Sequence, residues 1–244
     1  MIMKKMRMPL WFLLMITPLF CSCAGRINGS LLAGGQADLQ ISVSLEPRMA
    51  ALIVRLASAS GQEQAGANVL DGPAISASMR SAPGVGSVSL ANTAPAALAG
   101  PVRISRLGDF LAHSAGRDAG SSFITFEQGP QGGRCLISLS LETGPAILAL
   151  LSEEIGDYLS ALMAPIATGE VLTKAEYLDL AAMVYSRAIA DEIAQSRIRA
   201  SLDFPGAVQS ARGGTFSGRR AEFDIPLLDM LVLESPLSFE VTWR

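Results

Sequence analysis

The chain has 244 residues, of which 50% are hydrophobic and 17% are charged, and its formal net charge is −3. This apolar content argues against a disordered chain and is enough for one large domain or two small ones. Nucleic-acid binding needs a basic surface. The first seven residues hold three of the cations, so the chain after residue 22 carries −6, which disfavours that class.

The N-terminus has the pattern of an export signal. The positive segment Lys4–Arg7 precedes an apolar run from Leu10 to Phe20. This run is interrupted by proline and is shorter than the roughly 20 apolar residues of a membrane-spanning helix. Its length suits the hydrophobic region of a signal peptide, so we expect residues 1–22 to be removed as a leader.

The end of the apolar run, Leu19-Phe20-Cys21-Ser22-Cys23, resembles the lipobox of bacterial lipoproteins. That motif has an aliphatic residue three or four places before the cysteine and a small residue directly before it. Cys23 has Ser22 and Leu19 at these places, whereas Cys21 follows the bulky Phe20. Phe20 also stands three places before Cys23, where leucine is usual; spirochaete lipoproteins tolerate this. The resemblance implies lipid attachment at Cys23, with an uncleaved signal anchor or an ordinary secretory signal as alternatives.

The remaining cysteine content agrees with this interpretation. If cleavage precedes Cys23, Cys21 leaves with the leader and Cys135 is the only other thiol, which excludes an intramolecular disulfide. Cys135 alternates with Ile137 and Leu139 along one face of a predicted strand. We therefore expect a small buried side chain here and not a reactive thiol.

The first half of the mature chain predicts short elements. Residues 23–35 contain glycine and serine, and we expect a tether there, with the start of a first strand as the alternative. The further predicted elements are a strand from Ala37 to Leu45, a helix over 47–58, a helix from Asp71 to Arg80, a strand over 85–93, an irregular segment over 94–102 and a helix over 105–113.

The second half has a sharper pattern. It predicts a hairpin whose strands are Ser122–Glu127 and Arg134–Glu142, joined by a glycine-rich turn. Two long helices follow, the first after Pro145 and the second from a Thr173–Glu176 capping box, with Leu178, Tyr185 and Ile193 on one face. The last fifty residues predict a meander of strands.

These elements predict an α+β fold, an antiparallel sheet with two long helices packed on one face. No repeat or low-complexity linker divides the chain. We expect residues 36–244 to form a single periplasmic domain behind the tether.

The C-terminal region carries a second resemblance. The stretch Ile198–Gly214 has the strand, Pro-Gly, turn and glycine pattern of LppM-like lipoproteins. This resemblance implies a lipid-binding family. Arg212, Arg219 and Arg220 could contact lipid head groups, although a charged hairpin edge that discourages sheet-to-sheet pairing is the interpretation that we favour.

The chain offers little for catalysis or metal binding. His113 is the only histidine, and no nucleophile elbow or phosphate-binding loop accompanies it, so we expect it at a helix end or on the surface. Two carboxylate pairs, Glu153 with Asp157 and Asp191 with Glu192, lie on helix faces where solvation explains them. We expect no catalytic residue, no metal site and no cofactor.

Three hypotheses for function result. The favoured one is a non-enzymatic binding or structural lipoprotein of the cell envelope, lipid-anchored to the inner or outer membrane and facing the periplasm or the surface. The second is a protein that binds lipids or other hydrophobic ligands in a pocket between helices and sheet. The third is a carboxylate-dependent hydrolase of envelope sugars. The expected partners are the membrane, through the acyl chains, and a lipid or an envelope protein, but no nucleic acid.

Overall fold

The computed structural model describes residues 23–59, 68–114, 123–144, 148 and 153–244. The predicted leader and the start of the first predicted long helix, directly after Pro145, lie outside these residues. Within the described residues the chain forms twelve strands, which belong to two sheets, and a group of short helices.

The strands are β1 (Cys23–Leu32), β2 (Gln36–Ser44), β3 (Val85–Val88), β4 (Ala91–Ala94), β5 (Ala97–Ile104), β6 (Ile124–Gly129), β7 (Gly132–Leu139), β8 (Arg197–Asp203), β9 (Val208–Arg212), β10 (Thr215–Ser217), β11 (Arg220–Pro226) and β12 (Leu237–Trp243). The α-helices are α1 (Pro47–Ala59), α2 (Gly72–Arg80), α3 (Leu107–Ser114), α4 (Glu153–Ala161), α5 (Pro165–Thr168), α6 (Lys174–Val184), α7 (Arg187–Gln195) and α8 (Leu227–Val232).

The larger sheet has eight strands in the order β10-β11-β8-β1-β2-β5-β3, and β4 also pairs with β5. All its pairings are antiparallel except that of β1 with β8, which is parallel. The alternation predicted from Ala37 to Leu45 is confirmed as β2, and the helix predicted over 47–58 is confirmed as α1.

The tether expected over residues 23–35 is wrong for most of its length. Residues 23–32 form β1, a central strand in which Gly25 lies opposite Val43 of β2 and Ile198 of β8. The segment has few large apolar residues because alternate side chains of β1, such as those of Arg26 and Asn28, face solvent. Gly29 has no side chain because a Cβ there would collide with the backbone of β2.

The smaller sheet has four strands in the order β6-β7-β12-β9 and covers the apolar face of the larger sheet. The predicted hairpin is confirmed as β6 and β7. The buried residues of the core that the two sheets share with α2 and α3 are Leu31, Ala37, Leu70, Val88, Leu90, Leu98, Val102, Ile104, Leu107, Phe204, Val208, Ala221, Phe223, Val241 and Trp243. Apolar burial between these faces is the main stabilising term for the sandwich.

A second core lies among the helices, and it joins the first through Leu45 and Phe239, which contact both clusters. Tyr177 of α6 is fully buried in it, and its hydroxyl donates a hydrogen bond to the carbonyl of Leu162. The predicted α+β class is thus confirmed, with helices and antiparallel-dominated sheets. The second sheet packs on the larger sheet together with helices α2 and α3.

The helix predicted from Thr173 begins as expected but does not continue through Ile193. The Thr173 hydroxyl accepts from the Glu176 N–H, and the Glu176 carboxylate accepts from the Thr173 N–H, which is the predicted capping box. The helix then ends at Tyr185, and Ser186 caps a new helix, α7. Serine competes with the helical backbone through its hydroxyl, which explains the break.

The irregular segment expected over 94–102 is also wrong, because strand β5 spans most of it. Gly100 and Pro101 suggested a turn, yet both lie in the paired strand. Gly100 is required there because a Cβ would collide with the Ser89 carbonyl of the segment crossing it. The glycine therefore marks a close backbone approach and not a turn.

Trp243 anchors the sandwich core at the end of β12. Its side chain is 3% exposed, and its ring lies 5.0 Å from that of Phe204 and 5.8 Å from that of Phe126, measured between centroids. The ring also lies over Gly133 of β7, where a Cβ would collide with it. The Gly132-Gly133 pair, expected only as turn chemistry, thus also makes room for the indole.

We expect Trp243→Ala to lower the free energy of unfolding by about 3–5 kcal/mol, because it leaves a cavity between the sheets. Urea denaturation followed by circular dichroism measures this. Phe216→Ala is the matched control, since the Phe216 side chain is 47% exposed and its loss should change stability by less than about 0.5 kcal/mol. Equal effects of the two substitutions would contradict the prediction.

Candidate functional site

Cys23 is the first residue of β1 and lies opposite Arg197, the first residue of β8, in the parallel pairing. Only Ala24 separates it from Gly25, which is already paired with strands on both sides. A group attached at Cys23 would therefore be held close to the larger sheet, without a flexible linker after it.

The larger sheet exposes one face to solvent, and we call it the outer face. Side chains alternate between the two faces of β8, so Ala200 and Leu202 pack against the core while Arg197 and Arg199 lie on the outer face. The strand register places Arg26 of β1 beside Arg199 of β8. We call Arg26, Arg197 and Arg199 the arginine cluster.

One carboxylate of β11 neutralises part of this cluster. The Nε of Arg197 lies 2.7 Å from Oδ1 of Asp224, and the Nε of Arg199 lies 3.6 Å from the same oxygen. The hydrogen bond from Arg197 and the charges of both arginines hold the pKa of Asp224 below its ordinary value. Among the described residues, Arg26 forms no ion pair within 4.0 Å.

A groove of about 780 Å³ lies over this part of the outer face. Its lining residues are Arg26, Asn28, Arg199, Ala200, Ser201, Gly213, Gly214, Thr215, Glu222, Phe223 and Asp224. Its guanidinium, amide and hydroxyl groups can donate hydrogen bonds, and the Glu222 and Asp224 carboxylates can accept them. The two arginines and the two carboxylates balance in charge, so the groove suits a polar group better than an acyl chain.

Glu222 and Asp224 both border the groove, and as alternate residues of one strand they share a face. Two such carboxylates are the minimum that a sugar hydrolase needs, but one of them must act as a protonated acid with a raised pKa. The arginines shift the pKa of Asp224 in the opposite direction. Asp224 therefore does not suit the role of the protonated acid.

At the far end of the outer face, the strand arginines form ion pairs with carboxylates. Arg103 pairs with Asp38 at 2.6 Å, and Arg220 forms a bidentate pair with Asp203 at 2.7 and 3.0 Å. The Asp203 pKa is lowered, first by its hydrogen bond from Arg220. The β10–β11 hairpin lies at the sheet edge, where a charged hairpin was expected, and Arg220 serves an ion pair there.

The residues considered for catalysis are dispersed. His113 occupies the last turn of α3, and its side chain lies outside the described residues, as does that of Glu153. Asp157 and Asp191 are exposed, as their helical phase predicts. In the described ranges, no three histidine, cysteine or acidic side chains come together as a metal site.

Glu192 has a role that the sequence did not indicate. Its Oε2 accepts a hydrogen bond from the Met49 N–H at 2.9 Å, and its Oε1 lies 3.5 Å from Nη1 of Arg48. The side chain is 13% exposed, so it is not on the solvated face predicted for it. It caps the first turn of α1 from α7, a contact between segments far apart in sequence.

Cys135 lies in β7 and packs against the sandwich core, as its alternation predicts. Its thiol is free, and burial raises its pKa to about 11. A thiol reacts as the thiolate, so this environment makes Cys135 a poor nucleophile near neutral pH.

No helix in the described portion of the chain is long and apolar enough to cross a membrane. No protein-family model and no curated protein matches the chain. Among solved structures it is similar to the folded domain of LppM from Mycobacterium tuberculosis, determined by NMR, with a TM-score of 0.39 and 10% identity. The match covers 93% of this chain and 94% of that one.

The sequence does not indicate the arginine cluster, because its members come from strands that are far apart along the chain. The alternation Arg197-Ile198-Arg199 is visible in the sequence and places both arginines on one face. Nothing in the sequence shows that β8 lies beside β1, which is what brings Arg26 to Arg199.

Glu192→Ala should lower the free energy of unfolding by about 1–2 kcal/mol, because the Met49 N–H loses its acceptor. Asp191→Ala is the matched neighbour, exposed and paired only with Arg187 at the helix surface, and should cost less than about 0.5 kcal/mol. Urea unfolding of both variants measures the difference. A cost for Asp191→Ala as large as that for Glu192→Ala would contradict the capping role.

We expect iodoacetamide to modify Cys135 about 100-fold more slowly than a free cysteine at about pH 8, because little thiolate is present. Trypsin cleaves after Arg134, so the mass of the following peptide reports this site separately from Cys21 and Cys23. The same reaction in urea should proceed at the free-cysteine rate.

The same pKa shift has a consequence for stability. The fold favours the neutral thiol, so the stability from burying it is complete below the ordinary pKa of 9.0 and is lost as the pH rises towards about 11. Fast alkylation of the native protein at neutral pH would contradict this account of Cys135.

Proposed function

We propose that this chain is a lipoprotein of the cell envelope. Residues 1–22 would be removed as a signal peptide, and Cys23 would become the diacylated N-terminus of a folded domain. The observation that carries the proposal is the order of features in the sequence, a basic segment and an apolar run that end at a lipobox-like cysteine, with the folded strand β1 directly after it.

Two acyl chains are enough for the anchor. Each buried methylene contributes about 0.8 kcal/mol, and two chains give stable attachment where one gives reversible binding. The domain would then face the periplasm or the cell surface from the inner or outer membrane, held at the end of β1.

The role that we propose for the domain is binding or structural, and not enzymatic. The groove on the outer face supports binding, because guanidinium, amide, hydroxyl and carboxylate groups line it together. Such a lining favours a polar partner over the apolar ligand of the second hypothesis.

The test is a Cys23→Ala variant of the full chain, expressed in a bacterium fed a labelled fatty acid. We expect it to lose the label and to be released from the membrane fraction. Cys21→Ala is the matched control, because Cys21 lies in the leader, and it should keep both label and membrane attachment.

Unchanged labelling of Cys23→Ala would overturn the proposal, and so would loss of label in Cys21→Ala alone. The mass of the N-terminal peptide of the processed wild-type protein gives an independent measurement. It should begin at Cys23 and carry the acyl groups.

A further inference from the structure

The arginine cluster lies beside the proposed anchor. Arg197 is directly opposite Cys23 in the parallel pairing, and Arg26 follows Cys23 by three residues. At about 3.3 Å per residue, Arg26 is roughly 10 Å along the strand from Cys23. A lipid attached at Cys23 would therefore bring these guanidinium groups to the level of the head groups.

The guanidinium groups of the cluster differ in their pairing. Arg197 and Arg199 lie within 4.0 Å of Asp224, whereas Arg26 forms no such ion pair among the described residues. Two further carboxylates, Glu222 of β11 and Glu46 after β2, belong to the strands of this face or follow them. Arg26 is therefore the guanidinium of the cluster that is available to an outside phosphate group.

The cluster is accessible. The side chains of Arg197 and Arg199 are each 36% exposed, and Arg26 is exposed. Guanidinium groups match the geometry of phosphate oxygens and bind them in a bidentate manner. Polar side chains of the groove, among them Asn28 and Ser201, add further donors.

We propose that the arginine cluster binds the phosphate groups of anionic phospholipids and holds the outer face of the larger sheet against the bilayer. The inference rests on the proposed acylation of Cys23, since the absence of a tether is what keeps the cluster near the surface. The acyl chains would hold the domain at the membrane, and the arginine cluster would determine which face of the domain meets the bilayer. Each basic side chain near an anionic surface contributes about a fivefold gain in association.

The experiment uses acylated protein carrying Asn28→Cys, a position that borders the groove with Arg26 and Arg199 on the outer face. The protein is reconstituted into vesicles of phosphatidylcholine, either alone or mixed with phosphatidylglycerol, and a membrane-impermeant maleimide measures access. We expect alkylation to be about fivefold slower or more on the anionic vesicles, and about 0.5 M NaCl to remove most of this protection.

Two controls make the result specific. Gln209→Cys lies on the exposed face of the smaller sheet, on the other side of the sandwich, and should react equally on both vesicles. Adding Arg26→Gln and Arg199→Gln to Asn28→Cys should abolish the protection. Adding Arg103→Gln, at the far end of the outer face where Arg103 pairs with Asp38, should leave the protection intact.

Equal alkylation of Asn28→Cys on both vesicles would overturn the inference while leaving the proposed function standing. Equal protection by inorganic phosphate without vesicles would also overturn it, since the cluster would then be a site for a soluble anion. The N-terminal peptide mass is read on the same sample. A peptide without acyl groups would overturn the proposed function and this inference together.

Discussion

Strand β1 forms backbone hydrogen bonds on both edges, with β2 on one side and β8 on the other. Without β1, no strand pairing would join the group β10-β11-β8 to the group β2-β5-β3, and β8 and β2 would each have an unpaired edge. The outer face exists only because β1 joins these groups. The position of Cys23, the arginine cluster and the groove all depend on this one strand.

Local patterns predicted the elements that local chemistry decides. The alternation of β2, the Asp71 cap of α2 and the Thr173–Glu176 capping box were all visible, because each depends on neighbours within a few residues. The break at Ser186 was the exception, since the apolar stripe continued through it in helical phase. The Ser186 cap ended the helix, although the apolar pattern and the helix propensity of the residues favoured its continuation.

Contacts between distant segments were not predictable in this way. Gly100 and Gly133 resembled turn residues, yet each makes room for a backbone or a ring from elsewhere in the chain. Glu192 resembled a solvated carboxylate, but Met49 requires it as a cap. The arginine cluster belongs to the same class, since only the parallel register joins Arg26 to Arg199.

The parallel partner of β1 is encoded near the other end of the sequence, and this separation determines the order in which the sheet assembles. Pairing across so long a loop is slow, because chain entropy must be lost before the contact forms. β1 can already pair with β2 across the short turn between them, but Cys23 has no β8 partner until Arg197 has been synthesised. If Cys23 is acylated as proposed, a modifying enzyme would meet it at a sheet edge that β8 has not yet covered.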